Sequence, residues 1–267
     1  MTVARSLRSK RVSERDLLDF AVEAAWRAGR IALPHFQTGP EIELKPDASP
    51  VTIADRAAER MLREHIERTF PDDALLGEEF GEVRAGASRR WIVDPIDGTR
   101  SFVRGAPLWG VLIAVEDAGE SVVGVIHFPA LGETVYAARG EGCWWDGRPA
   151  RVSSIDRLDR ALVLTTDVET TLDRGRPPGA WDRLRRRAGM SRTWGDCYGY
   201  ALVATGRAEA MLDPVLNLWD AAPISPIIEE AGGVLTDWDG RSTYRAGTLI
   251  ATNAALATDV RAALTGD

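Results

Sequence analysis

Asp94 and Asp97 are the residues of this chain whose type and spacing point most directly to chemistry. They stand in Trp91-Ile92-Val93-Asp94-Pro95-Ile96-Asp97-Gly98-Thr99, where three apolar, β-prone residues run into two carboxylates around a proline-stiffened corner. The pattern predicts a buried strand with an acidic end, then a tight turn into a short helix. Both carboxylates can then face one small volume, and two like charges so close are costly unless a cation sits between them. Hard oxygen ligands favour Mg2+ over a soft metal. Gly98 and Thr99, at a helix start, can offer unpaired backbone N–H groups as a seat for phosphate. Metal on one side and phosphate on the other is the layout of a phosphoryl-transfer site. A lone Asp-Gly pair is usually only a turn; an apolar strand running into two acids and then Gly-Thr is much less often only that.

Helices and strands must bring these groups together. Ser13-Glu14-Arg15-Asp16 is a capping-box pattern, and Leu17, Phe20, Ala21, Ala24, Ala25, Ala28 and Ile31 keep helical spacing to a break near Pro34. Thr52-Ile53-Ala54-Asp55 opens a second helix with Ala58, Met61, Leu62, Ile66 and Phe70 as its buried stripe, stopped by Pro71. Leu75-Leu76 reads as a short strand leading to Gly77-Glu78-Glu79. Beyond the central stretch, strands are predicted at 111–115, 122–128, 134–137, 161–165, 210–212, 234–236 and 248–252, with a hairpin edge around Trp144-Trp145. Helices are predicted at 181–187, 197–204 and 221–230, the last stopped by Gly232-Gly233, and Asn253 is read as the cap of a final helix. The alternation, without repeat or low-complexity linker, predicts a layered α/β protein. Residues 1–12 are read as a basic tail. Residues 13–267 are read as one catalytic unit of two interleaved lobes, about 13–150 for metal and phosphate and 151–267 for substrate specificity.

Bulk properties narrow the function. At 267 residues the chain can bury a substantial core, and 45% apolar with 27% charged residues fits an ordinary water-soluble protein. The net charge of −7 argues against broad nucleic-acid binding, which needs a basic face. Lys10 and Lys45 are the only lysines, which we read as coding bias rather than a site. Cys143 and Cys197 are too few for a disulfide framework and fit a reducing cytoplasm. Neither opens the Cys-x5-Arg of a thiol phosphatase, and the Asp94-x-x-Asp97 spacing differs from the Asp-x-Asp-x-Thr of aspartyl-phosphate phosphatases. No apolar run approaches the roughly 18 residues that span a membrane, and no hydrophobic signal region follows the basic opening.

Four ordered motifs resemble those of the inositol monophosphatase superfamily: Val51-Thr52-Ile53-Ala54-Asp55, Gly77-Glu78-Glu79, the strand with Asp94-Pro95-Ile96-Asp97-Gly98-Thr99, and Trp219-Asp220-Ala221-Ala222 followed by Glu230-Ala231-Gly232-Gly233. The resemblance runs from about residue 14 to the end. It implies an αβαβα layered sandwich and a metal-dependent phosphomonoesterase. It makes Glu78, Asp94, Asp97 and Asp220 the metal carboxylates, joined by the carbonyl of Ile96, with Asp94 bridging two ions. Such a cluster of acids from separate segments is tolerated only when cations neutralise it. Two or three Mg2+ ions are implied, one activating a water and another stabilising the leaving alkoxide, with Li+ as inhibitor. By the same resemblance, Asp55 holds Thr99, and Thr99 with Glu78 orients and deprotonates the water. Two positions depart from the pattern: Ser101 stands where many members carry asparagine, and Pro223 interrupts a small-residue run.

Substrate choice falls to Arg192-Thr193-Trp194-Gly195-Asp196-Cys197-Tyr198 and to Asp213, with Gly98, Thr99, Gly195 and Asp220 completing the binding residues. Asp196 among Trp194, Tyr198 and Tyr200 suits a cationic leaving group through ion pairing and cation–π contact; the other reading is that Asp196 caps the following helix. With the stretch from Lys45-Pro46 to Val51-Thr52, and with Phe102-Val103-Arg104-Gly105, this segment resembles the histidinol-phosphate phosphatase branch. The alternatives are an inositol-1-monophosphatase or broad sugar phosphatase of the same fold, and a protein- or RNA-binding member with catalysis secondary. Loss of the acids would mark the last, and all are present. A homodimer is compatible with the resemblance. His35, His65 and His127 lack metal-site spacing, His65 is assigned to the polar face of its helix, and Arg183 to Arg187 form a solvated face.

Overall fold

The computed structural model describes residues 12–39, 41–46 and 50–266. Residues 1–11 of the stretch read as a basic tail lie outside them, as do residues 40, 47–49 and 267. The chain opens with α1 (Glu14–Ala32), where the Ser13 hydroxyl accepts the Asp16 N–H at 3.1 Å and the Asp16 carboxylate takes the Ser13 N–H, closing the predicted capping box. A hairpin of β1 (Ile42–Leu44) and β2 (Pro50–Thr52) leads to α2 (Ile53–Thr69), capped by Thr52. Then come β3 (Ala74–Gly77), β4 (Gly81–Val83), β5 (Arg89–Asp97) and the short α3 (Thr99–Val103). A meander follows: β6 (Gly110–Asp117), β7 (Glu120–Phe128), β8 (Glu133–Ala138), β9 (Gly142–Trp145) and β10 (Arg148–Pro149). The remainder is β11 (Leu162–Leu164), α4 (Val168–Arg174), α5 (Ala180–Arg187), β12 (Met190–Arg192), α6 (Asp196–Ala204), β13 (Ala210–Asp213), α7 (Leu218–Glu230), β14 (Gly233–Thr236), β15 (Leu249–Asn253) and α8 (Ala257–Thr265).

Two sheets organise these elements. The eight-stranded sheet has the order β10-β9-β8-β7-β6-β5-β3-β4, antiparallel except between β3 and β5, and the five-stranded sheet has the order β12-β11-β13-β15-β14. The alanine-rich face of α1 and the stripe of α2 bury Ala21, Ala25, Leu62 and Ile66 against Trp91 and Val125 of the first sheet. On its other face lie α6 and α7, which also cover the second sheet and are therefore apolar all round, as a helix between two sheets must be. Beyond the second sheet, α5 and α8 close the stack around Trp181, Leu184 and Val260. Helices, sheet, helices, sheet, helices is the αβαβα layering the resemblance implied. No helix among the described residues is long and apolar enough to cross a membrane.

Several local expectations shift. The sequence pattern offered nothing at α4, whose seven residues are too short for a periodic stripe. The helix predicted from 221 starts at Leu218, and this advance brings Asp220 into its first turn. Pro226 removes the amide that would bond the Ala222 carbonyl, and the Ser121 hydroxyl takes that acceptor at 2.7 Å. Asn253 does not cap α8 directly: its side chain accepts from Leu256 and donates to Ser153 and Ile155, locking the turn before the helix. His65 leaves the polar face, because its ring stacks on Phe20 with centroids 4.6 Å apart.

Candidate active site

Residues three apart on a regular strand point to opposite faces, so Asp94 and Asp97 would diverge if β5 were regular. It is not. Asp94 pairs with Leu112 and Asp97 with Gly110, so three steps on β5 match two on β6. This bulge, between Asp94 and Asp97, adds the residue that turns both carboxylates to one side. Asp220 joins them from α7, and one carboxylate oxygen of each of the three lies within 4.8 Å of the others. Each acid has an oxygen fixed by a backbone N–H: Asp94 by Ile96 at 3.0 Å, Asp97 by Cys197 at 2.6 Å, and Asp220 by Asn217 at 2.8 Å. The three carboxylates so held converge on one point, where a cation can meet an oxygen of each. The group therefore fits a hard divalent ion: oxygen donors only, converging, and already oriented by main chain.

The charges confirm how ill-suited these acids are to standing alone. Burial pushes Asp94 well above the usual carboxylate range, and Glu78, Asp97 and Asp220 push it further the same way. Asp97 rises to about 7 through burial and then through Asp220, against the Cys197 donor. Asp220 rises to about 7 through burial, against the Asn217 N–H. Glu78 stays outside the tight group of three: its carboxylate takes Lys45 Nζ at 2.6 Å, and Lys45 also reaches Glu79 at 2.6 Å. Sequence reasoning missed this partner; its signal was that Lys45 is one of only two lysines.

These shifts carry a stability consequence. Folded-state values near 7 for Asp97 and Asp220, against a usual 3.8, mean that the metal-free fold holds protons the unfolded chain releases. That contribution is fully present below about pH 4 and is lost as pH rises through about 7. We expect the metal-free melting temperature to fall between pH 5 and pH 8 by about 4 °C more than that of Asp97→Asn, on the order of 1–2 kcal/mol. Saturating Mg2+ should remove the difference. Identical slopes for the two proteins in metal-free buffer would refute the raised values.

At the phosphate side, α3 starts at Thr99 after Gly98, whose φ of 80° places it in the left-handed region. A Cβ at Gly98 would also stand 2.9 Å from the Leu108 carbonyl, so glycine is required there. One expectation is corrected. Asp55 does not hold Thr99: its Oδ2 is taken by the Thr52 N–H and hydroxyl at 2.8 and 2.6 Å, while Thr99 donates to the Ile96 carbonyl at 3.0 Å. The cause is local, since Asp55 is the third residue of α2 and its capping box aims it back at Thr52. Its Oδ1 is buried without a partner among the described residues.

Beside the acids lies a cavity of about 180 Å³ walled by Asp97, Thr166, Asp196, Tyr200, Asp213 and Asp220. Asp213, 4% exposed, accepts the Thr166 N–H at 3.1 Å and the Tyr200 hydroxyl at 3.0 Å. Burial lifts it to about 6 in spite of those donors. Thr166 also accepts the Asp196 N–H at 2.9 Å on its hydroxyl, and Gly195 lies so flat on Thr166 that a side chain there would clash. One threonine thus joins both acids, a link between distant positions with no local signal. Asp196 is not a helix cap: that place belongs to Gly195, and Asp196 itself has φ 50°. Among the described residues no donor reaches its carboxylate, and burial, then Asp97 and Asp213, raise it well above the usual range. The aromatic half of the expected pocket shrinks to Tyr200. Tyr198 turns away onto Phe128 at 5.3 Å, and Trp194 is 41% exposed and does not line the cavity.

The chain is similar to known proteins along most of its length. The model of the inositol monophosphatase family matches residues 13–265. The histidinol-phosphatase of Chlorobaculum parvum is 47% identical, with 92% of this chain and 96% of that protein covered. The histidinol-phosphatase of Mycobacterium tuberculosis is 41% identical, over 82% and 86%. Among solved structures, an inositol monophosphatase from Zymomonas mobilis superposes with a TM-score of 0.85 at 33% identity, covering 96% of this chain and all of that one (100%).

Proposed function

The chain belongs to the inositol monophosphatase family, and on that premise we propose that it is an Mg2+-dependent phosphatase that hydrolyses L-histidinol phosphate to L-histidinol and phosphate, a step of histidine biosynthesis. The observation that carries the substrate is Asp196: a half-buried carboxylate, free of donors among the described residues, opening on the cavity shared by Asp97 and Asp220. Histidinol phosphate has an ammonium and an imidazole beside its phosphate, and two acids one threonine apart suit both. The relatives named above as histidinol-phosphatases support the same choice.

In this reading Asp94, Asp97, Asp220 and Glu78, with the Ile96 carbonyl, hold two or three Mg2+ ions. When bound, Mg2+ acidifies the attacking water and neutralises charge on the phosphate and the leaving oxygen. Gly98 and Thr99 offer their backbone N–H groups to the phosphate. The Thr99 hydroxyl orients the water and Glu78 accepts its proton, a role for which Glu78 exchanges Lys45. Asp213 stays pinned by Thr166 and Tyr200, so the ammonium meets a fixed acceptor, and Asp196 receives the imidazole. We further propose that residues 13–267 act as one catalytic unit, that the enzyme works in the cytoplasm as a homodimer, and that Li+ inhibits it.

The test is phosphate release with Mg2+ from histidinol phosphate, inositol-1-phosphate, fructose-1,6-bisphosphate and 3′-phosphoadenosine 5′-phosphate at equal concentrations. We expect a preference for histidinol phosphate of about a hundredfold in kcat/KM, roughly 2.7 kcal/mol in the transition state. Comparable rates on all four would keep the metal site and give way to the broad sugar and inositol phosphatase reading.

A further inference from the structure

Glu59 on α2 is an acid that touches no part of the cavity and has no exposed surface. A carboxylate buried so completely costs several kcal/mol unless it is paired and hydrogen-bonded, and here both of its backbone bonds come from one turn. Its Oε2 accepts the Glu79 N–H at 2.7 Å and its Oε1 the Phe80 N–H at 3.2 Å. Arg63, one helical turn on, reaches the same Oε1 at 2.7 Å and donates another hydrogen bond to the Gly81 carbonyl. The pair therefore grips the link between β3 and β4 at residues 79, 80 and 81. At the other end Gly77 lies against Glu59 so closely that a Cβ there would run into the carboxylate. The Glu78 N–H bonds the Val93 carbonyl at 3.3 Å, which fastens the same turn to the residue before Asp94.

We propose that Glu59, held by Arg63, is a positioning residue that sets the Glu78 carboxylate against Asp94 and thereby sets the affinity of the site for Mg2+. The inference rests on the reading of Glu78 as a metal ligand. Groups that orient metal ligands without touching the ion are worth about 10- to 100-fold in metal affinity or activity. An apolar side chain at 59 would leave the Glu79 and Phe80 N–H groups without their acceptor, so the carboxylate itself holds this turn.

Calorimetric titration of the full chain with Mg2+, beside the Mg2+ dependence of phosphate release, tests this in Glu59→Gln, Gly77→Ala and Glu78→Gln. Glutamine keeps one acceptor but turns an N–H2 toward Arg63 or the turn amides, and Gly77→Ala pushes the turn from its other side without altering any charge. We expect Glu59→Gln and Gly77→Ala each to bind Mg2+ about 10- to 100-fold more weakly, with kcat at saturating Mg2+ within about threefold of wild type and KM for substrate unchanged. Wild-type Mg2+ affinity in both, with weakened binding in Glu78→Gln, overturns the proposal and leaves Glu59 a structural residue. Undiminished binding in Glu78→Gln removes the ligand reading and this inference with it. Should Glu59→Gln not fold, Gly77→Ala decides the matter by the same criterion.

Discussion

Asp94→Asn will leave a folded protein whose phosphate release at saturating Mg2+ is at least about a thousandfold slower than wild type, about 4 kcal/mol in the activation barrier. Asp94 sits inside the β5 bulge at 2% exposure, with the charges of Glu78, Asp97 and Asp220 all bearing on it. Asparagine keeps an oxygen for the Ile96 N–H, now 3.0 Å from Asp94 Oδ1, so the bulge has no cause to rearrange. What disappears is one negative charge and one cation-facing oxygen at the centre of the site. In metal-free buffer the same change removes repulsion, so the variant should melt no lower than wild type at pH 8. Circular dichroism melts and steady-state phosphate release on one preparation separate the two effects. Activity within tenfold of wild type would show that the acidic group is not the metal site.

Asp196→Asn should lower kcat/KM for histidinol phosphate by about 30- to 100-fold, roughly 2–2.7 kcal/mol, and leave inositol-1-phosphate hydrolysis within about threefold. Asparagine rather than alanine is the informative change, because the backbone at 196 has φ 50°, a region that asparagine tolerates and alanine resists. The Asp196 N–H bond to Thr166 and the seat of Gly195 on Thr166 are untouched, so α6 keeps its start and Cys197 keeps its bond to Asp97. Only the charge facing the leaving group is lost, and charge-assisted hydrogen bonds are the strong ones in such a pocket. An equal fall on both phosphate esters would assign Asp196 to the metal site's electrostatics, and no fall on either would leave the substrate to Asp213 alone.

Much of this architecture was legible because its causes are local. The capping box at Ser13–Asp16 formed as read, and Thr52–Asp55 opens α2 as read, each start encoded in four consecutive residues. The strand through Trp91-Ile92-Val93 is an apolar run, buried on both faces between two helical layers. Where the reading failed, the deciding partner was distant or the geometry irregular. Asp55 was assigned to Thr99 by resemblance, yet the nearer Thr52 holds it. Tyr198 was counted as pocket, yet Phe128 on β7 offered it a face in the core.

The sequence by itself determined which acids exist, the order in which they come, and the helix starts and apolar strands that carry them, since each is encoded within one or two turns of chain. Only the tertiary structure decided how those acids meet. The bulge between Asp94 and Asp97 turns the two together, and the early start of α7 brings up Asp220. The Cys197 amide fixes Asp97 across a separation of 100 residues, and Lys45 and Glu59 hold the Glu78 turn from outside the acidic group. These contacts join segments whose approach is set by the packing of whole layers, and a carboxylate's partner at such range is chosen by where the layers place it.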